Sequence, residues 1–128
     1  MEKKIYTFDE AFALSLKYFN GNEFATKVFL DKYALRDNEL NLLEGSPEQL
    51  FERVATEFER IEKKKFKKPL SKKEILEYIS GFQRIIPQGG PLSGIGNPYQ
   101  YVTISNCYVV DPPLDSYAAI LKTDEEIV

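Results

Sequence analysis

The chain has 128 residues, 43% of them hydrophobic and 13% aromatic, with a net charge of −3. That is enough apolar content for a packed core and excludes compositional disorder, and the weak acidity gives no global attraction to nucleic acid or an anionic membrane. No apolar run approaches the roughly 20 residues that span a bilayer, and Met1 to Tyr6 lacks the stretch of a secretion signal, so a cytoplasmic location is expected.

There is no histidine, which removes Ser-His and Cys-His nucleophile pairs and most zinc sites. The single cysteine, Cys107, has no partner in the chain for a disulfide.

The first eighty or so residues read as about four helices. Thr7 with Glu10 forms a capping-box pattern, followed by Phe8, Phe12, Leu16 and Phe19 at helical spacing, and Gly21 ends the run. A second helix is expected to bury Phe24, Val28, Phe29 and Tyr33, with a polar loop at Arg36-Asp37-Asn38-Glu39. Ser46, Pro47 and Gln49 mark a third helix start, with Leu50, Phe51, Val54, Phe58 and Ile61 as its apolar stripe. Arg53 with Glu57, and Glu59 with Lys63, are spaced to pair on its wet face. Ser71 and Glu74 cap a short fourth helix carrying Ile75, Leu76 and Ile79.

The character changes near Pro87. Pro87 to Pro91 and Gly94 to Pro98 read as loops whose glycines permit close backbone approach to a ligand. Tyr99 to Val110 lacks Gly and Pro and is apolar on both alternating faces, which predicts a strand buried between layers, as in an α/β barrel. Asp111-Pro112-Pro113 stops it, and Ser116 caps a last helix, Tyr117 to Ile127. Such a strand needs neighbours that this chain does not offer, so they are expected from another chain or from the rest of a longer one.

Two stretches carry a resemblance. One is Gly21 to Asp37; the other is Pro87-Gln88-Gly89-Gly90-Pro91-Leu92-Ser93-Gly94-Ile95-Gly96-Asn97, followed by Ser105-Asn106-Cys107-Tyr108-Val109-Val110 and Leu114-Asp115-Ser116-Tyr117. In order and spacing they resemble the amino-terminal portion of ribonucleotide reductase large subunits, closest to the adenosylcobalamin-dependent type and related class I enzymes. The resemblance spans residues 6 to 128 and implies two parts. Residues 1–85 would be a helical amino-terminal domain, and residues 86–128 the start of a ten-stranded α/β catalytic barrel with its substrate loop, first strand and first helix.

The resemblance also implies roles. Cys107 matches one member of the reducible cysteine pair, its partner absent from this chain. Gly90, Asn106 and Cys107 match substrate-site positions, and Asp115 and Ser116 match the region that binds a deoxynucleotide effector. Gly90 stands where many members carry Ser or Thr, so its contact would be a backbone amide. The radical-bearing cysteine, the second reducing cysteine and the substrate-polarising Asn and Glu belong to downstream sequence. The implied partners are the carboxy-terminal remainder of the large subunit and a radical source, either adenosylcobalamin or a metal-carrying small subunit. Ribonucleotide substrates and deoxynucleotide or ATP effectors would bind the assembled enzyme. No cofactor or metal is expected on this chain, and no membrane.

Simpler readings stand beside these. A lone intracellular cysteine is most often an inert buried hydrophobe, the Gly-Pro segments ordinary turns, and Gly94-Ile95-Gly96 too short for a dinucleotide fingerprint. The run from Lys63 to Lys73 reads first as a solvated helix end whose lysines complement the helix dipole. The alternative is a small helical binding module that uses this run, with Phe66 for stacking, to hold nucleic acid or protein.

Overall fold

A computed structural model describes residues 4–127. Six helices follow in chain order: α1 (Phe8–Tyr18), α2 (Glu23–Lys32), α3 (Pro47–Lys65), α4 (Lys72–Ile79), α5 (Gly89–Gly94) and α6 (Tyr117–Ile127), with a 3₁₀ turn at Ser80–Phe82.

Local chemistry sets most of the starts. Both Thr7–Glu10 and Ser71–Glu74 close reciprocal capping boxes at α1 and α4. After α1, Asn20 and Gly21 take positive φ, and Gly21 N–H donates to the Leu16 carbonyl, closing the helix end. Asn22 then caps α2 by accepting from Ala25 N–H at 3.0 Å. The third helix begins at Pro47 as expected, but the Ser46 side chain makes no cap bond. Gln49 turns instead to Gly45, accepting its N–H, and donates to the Tyr6 hydroxyl at 2.7 Å.

The core gathers Ala11 of α1, Phe29 and Leu30 of α2, Leu42 of the returning loop, Leu50, Phe51, Val54 and Ala55 of α3, Ile75 and Ile79 of α4, and Leu92 of α5. Two small polar side chains lie inside it, each satisfied: Ser15 donates to the Gly45 carbonyl at 2.8 Å and Thr26 to the Asn22 carbonyl at 2.9 Å. The loop after α2 is shaped by Asp37, which accepts from the N–H groups of Glu39 and Asn41, so that Leu42 returns to the core.

Three expectations need correction. Tyr99 to Val110 is not a barrel strand: the described residues contain no β-strand or sheet, only isolated antiparallel pairings of Leu42 with Tyr6 and with Arg36. The α/β barrel start is therefore replaced by an all-helical fold. A strand exists through its ladder, and among the described residues no segment exchanges backbone hydrogen bonds with 100–110. Every residue from 101 to 118 is exposed. Phe24, expected inside, is 77% exposed, because α2 turns Thr26, Phe29 and Leu30 inward. Arg53 does not pair with Glu57 on the wet face; its side chain is buried against Glu44, and Glu57 pairs with Arg60. The Glu59–Lys63 pair forms as expected, at 2.9 Å.

Candidate functional site

Gly90, Asn106 and Cys107, three of the residues singled out from sequence, lie on α5 and the extended segment that follows it. This short helix, rich in glycine and read from sequence as a loop, is held by Leu92, which enters the core. Its carbonyls are tied to α3: Arg53 Nη2 donates to the Leu92 carbonyl at 3.2 Å, and Nη1 to that of Ile95. Gly96 follows at φ +72, with the backbone of Arg53 so close that a Cβ would lie 3.2 Å from its carbonyl oxygen. The chain thus turns tightly over α3 before it departs.

The departing segment lies back across α5. Gly90 and Gly94, one helical turn apart, present a facet without side chains. A Cβ on Gly94 would meet Val102 at 2.6 Å and Ile104 at 3.2 Å, and one on Gly90 would meet Asn106 Oδ1 at 2.3 Å. Val102, Ile104 and Asn106 are alternate residues, so an extended backbone turns one face of the segment onto the glycines. Asn106 completes the contact. Its Oδ1 accepts from Gly90 N–H at 2.9 Å, and its Nδ2 donates to Gln88 Oε1 at 2.9 Å.

The structure therefore joins two of the expected substrate-site residues, Gly90 and Asn106, by a direct bond. Cys107 is next in sequence and exposed, not buried as the strand expectation required. Nearby, the Thr103 and Tyr108 hydroxyls are hydrogen-bonded at 3.0 Å. Asp115 and Ser116 stand apart: both are exposed, and Ser116 caps α6 by accepting from Ala119 N–H at 3.2 Å. No hydrogen bond or ion pair links either to Gly90, Asn106 or Cys107 among the described residues.

Two participants were not singled out from sequence. Gln88 was quoted only within the loop motif, although its place before Gly89-Gly90 is that of a helix N-cap. Arg53 was assigned to the wrong face, because its i,i+4 spacing to Glu57 offered a surface partner.

The basic run occupies the α3–α4 turn. Lys63 pairs with Glu59 and Lys72 with Glu52, while Lys63, Lys64 and Lys65 fall in the last turn of α3, at the negative pole of its dipole. Phe66 is 56% exposed. No helix among the described residues is long and apolar enough to cross a membrane. Comparison with protein-family models, with curated proteins and with solved structures finds no match to this chain, and the reductase resemblance stands on its motifs alone.

Proposed function

We propose that this chain is an amino-terminal portion of a ribonucleotide reductase catalytic subunit, working in assembly with polypeptide that supplies the remaining active-site residues. The observation that carries the reading is the Gly90–Asn106 bond, between residues sixteen apart in sequence, with Cys107 adjoining it. Two of the three positions that the motifs assign to one substrate site are hydrogen-bonded to each other, and the third follows in sequence.

The chemistry in which Cys107 would take part is a two-electron reduction. Two thiols become a disulfide, the ribose 2′-hydroxyl leaves as water, and the 2′ carbon gains hydrogen. A single cysteine cannot form that disulfide alone, so the second thiol comes from elsewhere. Asn106 and the Gly90 amide, bonded to each other in the free chain, would exchange that bond for the substrate's polar groups, and Asp115 and Ser116 would contribute to an effector site. The radical source would be adenosylcobalamin or a metal-carrying subunit.

The exposed apolar side chains of the segment favour an assembly. Tyr101, Tyr108 and Val109 are 110%, 74% and 99% exposed, more than a chain acting alone would leave uncovered. The test is reconstitution: the chain is mixed with the complementary reductase polypeptide and ribonucleotide reduction is measured with a dithiol reductant. Turnover that appears only in the mixture and is abolished by Cys107→Ser, with assembly intact, is the expected result. Undiminished turnover of Cys107→Ser under the dithiol would refute the assignment.

A further inference from the structure

Helix α6 and the groove between α3 and α4 are uncovered apolar surfaces of opposite charge; the groove shares Leu92 and Ile95 with the α5 segment described above but not Gly90, Asn106 or Cys107. On α6, Tyr117, Ile120 and Leu121 share one face at helical spacing and are 89%, 44% and 67% exposed. No residue of this helix is buried. Eleven residues are too few for a helix to be stable in water without packing. Its electrostatics are also unfavourable: Asp124, Glu125 and Glu126 crowd the carboxyl end, where the dipole is negative, and that turn holds no basic residue. Both deficits call for an apolar surface bordered by cations.

The α3–α4 groove is such a surface. It encloses about 260 Å³ and is lined by Val54, Phe58, Leu70, Tyr78 and Ile85, among others, with Phe58, Leu70, Tyr78 and Ile85 between 37% and 49% exposed. Between Glu62 and Leu70, both on its wall, runs the lysine cluster. Lys63 and Lys72 are engaged by Glu59 and Glu52, whereas Lys65, Lys67, Lys68 and Lys73 make no ion pair among the described residues. The chain's own α6 contributes nothing to the groove lining.

We propose that α6 of one copy docks in the α3–α4 groove of a second copy, apolar face inward and acidic end against Lys65, Lys67 and Lys68, with the exchange made in both directions. A reciprocal exchange closes on itself and yields a two-fold pair, not a filament. It uses surfaces other than the Gly90–Asn106–Cys107 cluster and stands or falls independently of the reductase reading.

The experiment is sedimentation velocity on the full chain from low to high micromolar concentration, at low and high salt. The expected result is a concentration-dependent mass of twice 14.8 kDa, weakened by salt. Two charge-reversed variants make the test specific. One carries Lys65→Glu, Lys67→Glu and Lys68→Glu; the other carries Asp124→Lys, Glu125→Lys and Glu126→Lys. Each alone sets like charges against one another and is expected to self-associate more than about tenfold more weakly. Mixed, both interfaces become complementary again and the pair reforms. Circular dichroism confirms that each variant remains helical. A chain that stays monomeric throughout, a dimer indifferent to both reversals, or variants that fail to pair when mixed would each overturn the proposal. So would binding of a nucleic acid to the lysine cluster that leaves the protein monomeric.

Discussion

Arg53 and Glu44 form a buried ion pair, Nε to Oε1 at 2.7 Å, with side chains only 8% and 6% exposed. Every part of the pair is used. Glu44 Oε2 accepts from Leu35 N–H at 3.0 Å, and the Arg53 guanidinium also reaches the carbonyls of Leu92 and Ile95. One arginine thus connects the loop after α2 to α3 and to the far end of α5, where the candidate site begins. Removing a single partner leaves the other charge buried without compensation. Arg53→Met is therefore expected to cost about 3–5 kcal/mol of stability, read from urea denaturation followed by circular dichroism. Arg53→Lys should recover only part of this, since an ammonium cannot span the carboxylate and two carbonyls as a planar fork does.

The glycine facet makes a prediction whose sign depends on its partner. A methyl group at Gly90 would stand 2.3 Å from Asn106 Oδ1 and must displace that side chain, breaking both of its hydrogen bonds. Gly90→Ala is expected to destabilise the docked segment by about 1–2 kcal/mol, the net worth of two such bonds. In an Asn106→Ala background only the Ile104 carbonyl, 3.3 Å from the added methyl, must give by a few tenths of an ångström, and the same substitution should cost little or stabilise, because alanine favours helix over glycine by about 0.5–1 kcal/mol. Urea denaturation of the four proteins of this cycle, followed by circular dichroism, measures the effect. Additive changes would mean that the two residues do not communicate.

What was legible in the sequence was what is local. The Thr7–Glu10 and Ser71–Glu74 boxes close within one helical turn, so residue identity nearly determines them. The last helix, from Tyr117 to Ile127, was readable from its Ser116 cap. Arg53 was not, because i,i+4 spacing to Glu57 suggests a surface pair until the loop carrying Glu44 is brought alongside. The same holds for α5, whose glycines argue against helix; Leu92 in the core and the Asn106 contact from downstream sustain it. Tyr99 to Val110 failed in the opposite direction. Its β-branched and aromatic residues suit a strand, but strand propensity acts through a paired backbone, and, among the described residues, 100–110 share no backbone hydrogen bond with another segment. Of the candidate site, Gly90 and Asn106 were named from separate motifs with no sign in the sequence that they would bond to each other, and Gln88 became visible only as the third member of the hydrogen-bonded group.

Acid should unfold the chain through carboxylates that the fold holds in their charged form. The Ser71 side chain and then its backbone N–H keep the Glu74 carboxyl below its usual range; Thr7, backbone first, does so for Glu10, and Asn41, through its side chain, for Asp37. A carboxyl lowered in the folded state contributes stability that is fully present above its unfolded value, about 3.9 for Asp and 4.3 for Glu. That stability is lost as pH falls through the lower folded value. Thermal midpoints are thus expected to change little from neutral pH to about pH 5 and to decline below about pH 4. Glu74→Gln keeps an acceptor at the cap but cannot titrate, so its acid decline should be shallower than that of the parent. An identical decline would mean that Glu74 contributes nothing to it.

Cys107 offers the most direct probe of the segment that was expected to be buried. A thiol inside a packed layer reacts with disulfide reagents only through opening of the structure, many-fold more slowly than in denaturant. The exposed Cys107 has no such barrier. Labelling in native buffer should proceed within a few-fold of the rate in urea, with a single thiol titrating per chain. Arg53→Met, which loosens α5 but leaves the thiol where it already meets solvent, should change that rate little. Strong native protection, relieved by Arg53→Met, would instead mean that 101–110 packs against the helical body in solution. If the native chain is freely labelled, adding the complementary reductase polypeptide should slow the reaction, because assembly covers the segment that carries the thiol.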